Sequence, residues 1–392
     1  MPEGHTVHRL ARTFSSLFAG QTLRMSSPQG RFADGAAVLD GRRLVASEAW
    51  GKQLFLGFAP GDGPADVPGD GPADVPGDGP ADVPGSGPAD LPGDAPGGPG
   101  ASGQDAGLTG SGPGTAADDD VLWLRTHLGL YGAWTFAGAP DAPEVAHAIG
   151  APRKRIGERE TAVTVAPDRT SGEWVVPEPR GQVRVRLLGA HAVADLTGPT
   201  ACEVITTEEK RAVEARLGPD PIRDDADPEA FVAAVGRSRV TIGQQLMDQA
   251  VVAGVGNIYR AEVLFRAGVD PLRPGREVPA TSVRAIWDDL VALMRAGATH
   301  GAIVTTAPPR HDPSPARERG YVPKDGPGEH NPVVDGRRRT RQNTDGRPGA
   351  VPADQAFYVY HRDGLPCRVC GSPVLVKELA GRNLFWCGVC QT

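Results

Sequence analysis

A chain of 392 residues, 39% of them apolar, has room for two or three domains with their own cores, and it contains no run of some 18 apolar residues that would mark a membrane span. Its formal charge of −7 is concentrated in one place: residues 60–120 hold twelve Asp and no Lys, Arg or Glu, which leaves the remainder at +5. That remainder is rich in Arg, with Lys only at Lys52, Lys154, Lys210, Lys324 and Lys377, and a mild excess of guanidinium forks permits phosphate binding without requiring it.

The chain opens Met1-Pro2-Glu3-Gly4. A small second residue permits removal of Met1, which leaves Pro2 a free secondary amine, a nucleophile towards an aldehyde-level carbon through a Schiff base. An α-amino group titrates near pH 8, so about a tenth is neutral at pH 7, and a helix dipole behind it lowers that value further. Glu3 beside it is a carboxylate able to move protons. The same residues also suit a plain helix start, with Pro at the first position and Glu in the first turn. Val7, Leu10, Ala11, Phe14, Leu17 and Phe18 then follow helical spacing until Gly20.

Leu44 to Phe58 reads as extended chain, with Lys52, Leu54, Leu56 and Phe58 on one side and Gln53 opposite. Lys52, just after Gly51, is either a ligand-binding cation or a lysine reaching solvent from a strand mouth. From Gly61 to Pro92 an eight-residue unit repeats, GDGPADVP three times and then GSGPADLP, decaying into Gly, Pro, Ala and Asp up to Asp120. With nothing to bury, this stretch is expected to be disordered and extended, not a solenoid. Strand pattern resumes at Val121, so 60–120 reads as an insertion in a hairpin loop, whose entropic cost grows only slowly with length. Residues 121–136 read as two strands around a Gly-Leu-Tyr-Gly turn, 138–180 as polar and irregular, and Val183–Leu188 and Ala192–Leu196 as further strands.

From Gly198 the pattern turns helical. Thr206 with Glu209 makes a capping box ahead of Leu217-Gly218-Pro219-Asp220-Pro221. Pro228–Val235 is helical, Thr241 with Gln244 opens a helix through Ala250, Gly254-Val255-Gly256-Asn257 breaks it, and helices follow over Ile258–Ala267 and Thr281–Ala296. Residues 308–355 read as a flexible basic connector, and 356–392 as a compact tail.

The tail holds Cys367-x2-Cys370-x16-Cys387-x2-Cys390, two pairs able to close a tetrahedron around one structural zinc ion, with iron or a redox role as the alternatives that two matched pairs in so short a segment disfavour. A segment that short cannot fold on its own core. Cys202 stands alone and reads as a core thiol. Arg382 lies at a predicted hairpin tip between the pairs; alone, such an Arg is usually a solvated charge. The 254–257 turn offers exposed backbone N–H groups at a helix start, a ready phosphate site, or simply a corner with Asn257 as N-cap. No carboxylate cluster suggests catalytic metals.

Together these pieces resemble the formamidopyrimidine-DNA glycosylase and endonuclease VIII family of DNA repair enzymes. The resemblance rests on Pro2-Glu3-Gly4, Lys52 after Gly51, the LGPDP link, the block LMDQAVVAGVGNIYRAEVLF, and the tail HRDGLPCRVCGSPV with GRNLFWCGVCQ. It implies an α+β fold, with an N-terminal helix and two-layered β-sandwich, a helix-two-turn-helix domain and a C-terminal β-hairpin zinc finger. The corresponding boundaries are 2–198 (interrupted by 60–120), 199–307, the 308–355 connector and 356–392.

The resemblance implies roles residue by residue. Pro2 is the nucleophile at the sugar C1′ of a damaged nucleotide, Glu3 the acid/base that opens the sugar ring, and Lys52 a phosphate-binding assistant. Asn257 and Arg382 grip the flanking backbone, Arg382 near the later elimination step, while zinc only stiffens the finger. A nucleotide must leave the duplex to be attacked, and a wedge fills the gap; Leu130 and Tyr131 are the candidates, the alternative being a packed turn. The expected activity is a bifunctional glycosylase/AP lyase acting on damaged and abasic DNA, ending in β,δ-elimination. Pro-Glu-Gly, Leu-Tyr-Gly and His361-Arg362-Asp363-Gly364 look closer to endonuclease VIII, which favours oxidised pyrimidines. An oxidised-purine enzyme and a non-catalytic zinc-finger binder of damaged DNA are the alternatives. The expected setting is a soluble monomer in the cytoplasm, associated with the nucleoid and with no membrane partner.

Overall fold

The computed structural model describes residues 2–61, 63, 120–150, 174–306 and 355–392; the acidic repeat, most of the 138–180 stretch and most of the 308–355 connector fall outside the described residues. Helix α1 spans Gly4–Phe18, and the six apolar positions read from its spacing are all buried. Gly20, at φ +78°, turns the chain out of it.

Two antiparallel layers share strand β1 (Thr22–Ser26). One continues through β2 (Arg42–Trp50), β3 (Gln53–Ala59), β4 (Leu122–His127) and β9 (Ala201–Thr206). The other runs from β1 through β7 (Val183–Leu188), β8 (Ala192–Thr197) and β5 (Ala133–Gly138) to β6 (Ala148–Gly150). A short helix α2 (Ala33–Leu39) joins β1 to β2. The core between layers and helix centres on Phe14, whose ring meets Trp134 at 4.8 Å and Phe136 at 5.4 Å, both edge-on. In β7 the alternation is strict: Val183, Val185 and Leu187 are fully buried, and Arg186 turns outward onto Asp195 with bonds of 2.7 and 2.8 Å.

Three expectations need correction. Leu44–Phe58 is a hairpin rather than one extended run, because Gly51 at φ +60° reverses the chain and puts Lys52 in the turn. The strands within 121–136 exist but do not pair with each other: β4 lies in one layer, β5 in the other, and 128–132 is a corner between them. After Gly198 the chain makes a further strand, β9, before any helix, as the β-branched Val204, Ile205 and Thr206 favour.

The helical half contains α3 (Thr207–Glu214), α4 (Pro228–Gly236), α5 (Ile242–Gln245), α6 (Asn257–Arg266) and α7 (Ala280–His300). Thr206 and Glu209 form the expected reciprocal cap on α3. The helix expected through Ala250 ends at Gln245 instead. Asp248 stops it, its side chain accepting the Ala250 N–H at 2.9 Å and its carbonyl the Val251 N–H at 3.0 Å. Phe231, Tyr259, Trp287 and Leu290 fill this half's core. The tail forms a hairpin of β10 (Leu375–Leu379) and β11 (Arg382–Trp386) with a small core around Phe265, Tyr358, Val359 and Phe385.

Phe14 is fully buried among three aromatic rings, so Phe14→Ala should destabilise the sandwich by about 3–5 kcal/mol. Chemical denaturation followed by tryptophan fluorescence will measure the loss.

Candidate active site

Three glycines draw the chain start, the β2–β3 turn and the turn before α6 into backbone contact. The Gly4 N–H donates to the Gly254 carbonyl at 2.8 Å. A Cβ on Gly4 would lie 2.8 Å from Gly254 Cα, and one on Gly51 would lie 3.0 Å from the Gly254 nitrogen. Any other residue at these places would force the segments apart.

Glu3 uses that closeness. It is the N-cap of α1 but makes no side-chain bond to its own helix. Its carboxylate crosses to the start of α6, Oε2 accepting the Gly256 N–H and Oε1 the Ile258 N–H, both at 2.9 Å. The reading of Glu3 as a first-turn acid of its own helix is therefore replaced: it serves the dipole of another helix. Only 1% of Glu3 is exposed. Burial raises its pKa, opposed by the Lys52 charge and by the Ile258 and Tyr259 N–H groups.

Lys52 sits half-buried at the hairpin turn, and burial lowers its pKa, with Glu3 opposing and Arg382 adding to the fall. Gln53 pairs with His127, so the 128–132 corner begins beside Lys52. Burial, then Lys52 and Arg125, lower the His127 pKa. On the corner, Leu130 is 43% and Tyr131 78% exposed, apolar groups held out by the turn that the Gly132 N–H closes onto Leu128 at 2.8 Å.

Asn257 is the first residue of α6, not its cap, which is Gly256. Its Nδ2 donates to the Asn383 carbonyl at 2.9 Å and its Oδ1 accepts from Arg260. Arg382, exposed at the start of β11, precedes the held Asn383, and its charge contributes to the fall in the Lys52 pKa. Glu3 (next to Pro2 in the chain), Lys52, Asn257 and Arg382 are thus drawn from four separate stretches of chain towards one another, and the corner that exposes Leu130 and Tyr131 follows directly on the His127–Gln53 pair.

The four cysteine sulfurs of Cys367, Cys370, Cys387 and Cys390 lie within 4.8 Å of one another, with pairs at 3.4 and 3.9 Å. Four thiolates about 2.3 Å from a tetrahedral zinc stand about 3.8 Å apart, so the donor set fits that ion.

Residues 217–308 match the family model described as the formamidopyrimidine-DNA glycosylase H2TH domain, and 364–392 match that of a zinc finger found in FPG and IleRS. A relative from Mycobacterium tuberculosis, Endonuclease 8 1, is 36% identical over 392 residues and matched along the whole of both chains. The chain belongs to the formamidopyrimidine-DNA glycosylase and endonuclease VIII family. A formamidopyrimidine-DNA glycosylase from Geobacillus kaustophilus is 28% identical over 183 residues, 47% of this chain and 54% of its own. Among solved structures, the Lactococcus lactis Fpg in complex with DNA containing an abasic site gives a TM-score of 0.53 at 16% identity, with 99% of both chains covered. The MutM (Fpg) protein of Thermus thermophilus gives 0.53 at 21%, over 100% of this chain and 98% of its own. At such identities these two likenesses show the fold.

Within this family fold, sequence reasoning missed Arg260 and Glu262, both fully buried in α6. Arg260 donates to the Asn383 carbonyl at 3.1 Å as well as to Asn257. Glu262 gathers the N–H groups of Tyr358, Val359 and Tyr360 at 2.8–2.9 Å. The signal available was two opposite charges inside an otherwise apolar helical stretch, Ile258 to Phe265.

Gly256 is the tightest point. A Cβ there would lie 2.4 Å from Cδ of Glu3, whose two oxygens are both held. Gly256→Ala is expected to leave the melting temperature within a few degrees while lowering base excision by about 10²-fold, the effect of about 1 Å of misplacement. A rate assay alongside a thermal melt separates the two.

Proposed function

We propose that this chain is a bifunctional DNA glycosylase/AP lyase whose nucleophile is the Pro2 nitrogen, exposed by loss of Met1. The observation that carries this reading is the bond pair from Gly256 and Ile258 to Glu3, which fixes the residue next to Pro2 against both the Lys52 turn and the start of α6. The imino nitrogen attacks C1′ of a rotated-out nucleotide, and the C1′–base bond breaks as the base leaves with a proton. Glu3, whose raised pKa keeps a proton available above the ordinary carboxylate range, donates to the sugar O4′ as the ring opens. The iminium then acidifies the C2′ hydrogen, and loss of that proton expels the 3′ phosphate, followed by δ-elimination of the 5′ phosphate. Lys52, Asn257 and Arg382 hold the phosphates on either side, and Leu130 and Tyr131 fill the emptied stack.

Oxidised pyrimidines are the favoured bases, on the Leu130-Tyr131 corner and the His361–Gly364 tail sequence; a panel of single-lesion duplexes distinguishes them from oxidised purines. One zinc ion in the four-cysteine site stiffens the finger and takes no part in the chemistry. Division of the chain at 2–198, 199–307 and 356–392, with a monomer working on damaged or abasic DNA, completes the reading. No helix among the described residues is long and apolar enough to cross a membrane.

Borohydride added during reaction with an abasic duplex should trap a covalent protein–DNA adduct, and N-terminal acetylation should abolish it. Trapping that survives the block moves the nucleophile elsewhere, and no trapping by the unblocked protein leaves only a DNA-binding protein. Removing zinc with a chelator, or Cys387→Ser, should weaken binding to a tetrahydrofuran-containing duplex at least about tenfold while the sandwich core retains its near-ultraviolet circular dichroism. Unchanged affinity in a zinc-free protein would remove the finger from DNA binding.

A further inference from the structure

Asp220, in the LGPDP link, is completely buried and has no part in the roles assigned so far. Its Oδ2 accepts the Gly51 N–H at 2.7 Å and is 2.7 Å from His8 Nε2, while Oδ1 accepts the Ile222 N–H at 2.9 Å. Gly51 is the residue before Lys52. His8 lies on α1, whose first turn follows Pro2 and Glu3. The link holds the remaining segment through its backbone: the Ala253 N–H donates to the Pro219 carbonyl at 3.0 Å and the Gly218 N–H to the Gln249 carbonyl at 2.8 Å. Trp50 Nε1 closes the set on the Gly218 carbonyl at 3.0 Å. One short strap therefore touches all three carriers of the site: the helix behind the nucleophile, the turn bearing Lys52 and the turn leading to Asn257.

We infer that Asp220 is a positioning residue that sets the placement of Lys52 relative to Pro2 and Glu3 by holding Gly51 and His8 on one oxygen. The inference rests on the Schiff-base reading of the site. Lys52 stands at a glycine-led turn: Gly51, at φ +60°, packs against Ala253 and Gly254 and gives its N–H to Asp220, and the sheet ladder resumes only at the Trp50–Gln53 pair. The Asp220 carboxylate is what ties that turn sideways to α1. A side-chain amide in its place keeps the size but presents either an N–H or a single carbonyl to donors that now share two oxygens. The turn then relaxes by a fraction of an ångström, enough to misalign a reacting group without unfolding the hairpin.

The test compares full-length wild-type, Asp220→Asn, His8→Gln and His8→Leu proteins. Each is measured for affinity to a tetrahydrofuran-containing duplex and for the single-turnover borohydride trapping rate on an abasic duplex at saturating protein. Asp220→Asn is expected to lose between about tenfold and 10²-fold in trapping rate with affinity changed less than about twofold. His8→Gln, which keeps an N–H donor, is expected to stay within about threefold of wild type, and His8→Leu to fall with Asp220→Asn. Asp220→Asn reacting at the wild-type rate overturns the inference, as does a proportional loss of rate and affinity. If Asp220→Asn does not fold, equal rates for His8→Gln and His8→Leu overturn it instead. Failure of the wild-type protein to trap at all indicts the Schiff-base reading, not the positioning role.

Discussion

The contact on which the molecule turns is a carboxylate resting on the wrong helix. Glu3 begins α1, yet its two oxygens take the first free N–H groups of α6, 253 and 255 residues further along the chain. A buried carboxylate needs a substitute for its hydration, and a helix N-terminus supplies one in the form of N–H donors and a favourable dipole. The substitute lies in the other half of the protein, so satisfying one charge brings sandwich and helical half together. The geometry leaves no room for side chains in between, which is why Gly4, Gly51, Gly254 and Gly256 all stand at that junction.

That dependence explains what was legible in the sequence and what was not. The α1 stripe, the Thr206–Glu209 cap and the cysteine spacing are local patterns, and each physical cause acts within a few residues; they could be read directly. Lys52 was misplaced because β3 is buried on both faces, so its apolar residues carry no alternation from which to find the end of a strand. The positive φ of Gly51 then went unnoticed as the actual turn. Asp220, Arg260 and Glu262 were unreadable for another reason. A charged residue in a link or helix looks solvated until the fold supplies its partners, and their partners lie on other elements. The convergence of Pro2, Glu3, Lys52, Asn257 and Arg382 came only with the resemblance, since nothing in their spacing requires it.

The site is held at a cost. Burial pushes Glu3 up and Lys52 down, so each disfavours its own charged form. For Glu3, a folded pKa above the unfolded one means a stability contribution present at low pH and lost as pH rises through the raised value. For Lys52, a lowered folded pKa means that stability is lost as pH falls below its unfolded value. Both signs point the same way: in its ionised form each group weakens the fold, and the mutual attraction of the two charges offsets only part of that. A purely structural pair would be better replaced by apolar packing. Charges kept under these conditions are consistent with groups that must exchange protons, and the large aromatic core of the sandwich can carry the loss.

Helix α6 is what turns separate anchors into one arrangement. Its first N–H groups hold Glu3; one step on, Asn257 and Arg260 hold the Asn383 carbonyl; a further turn on, Glu262 holds the backbone leading into the finger. A helix of ten residues is stiff over that length, so the carboxylate and the Arg382 hairpin keep register although they share no direct bond. The hairpin is gripped by a main-chain carbonyl, so its position depends on backbone shape and not on the identity of residue 383. Backbone shape in so small a tail is set by the four cysteines. On the proposed reading, then, zinc acts on the reaction through geometry alone: it fixes a carbonyl, the carbonyl fixes a helix start, and the helix start holds the acid.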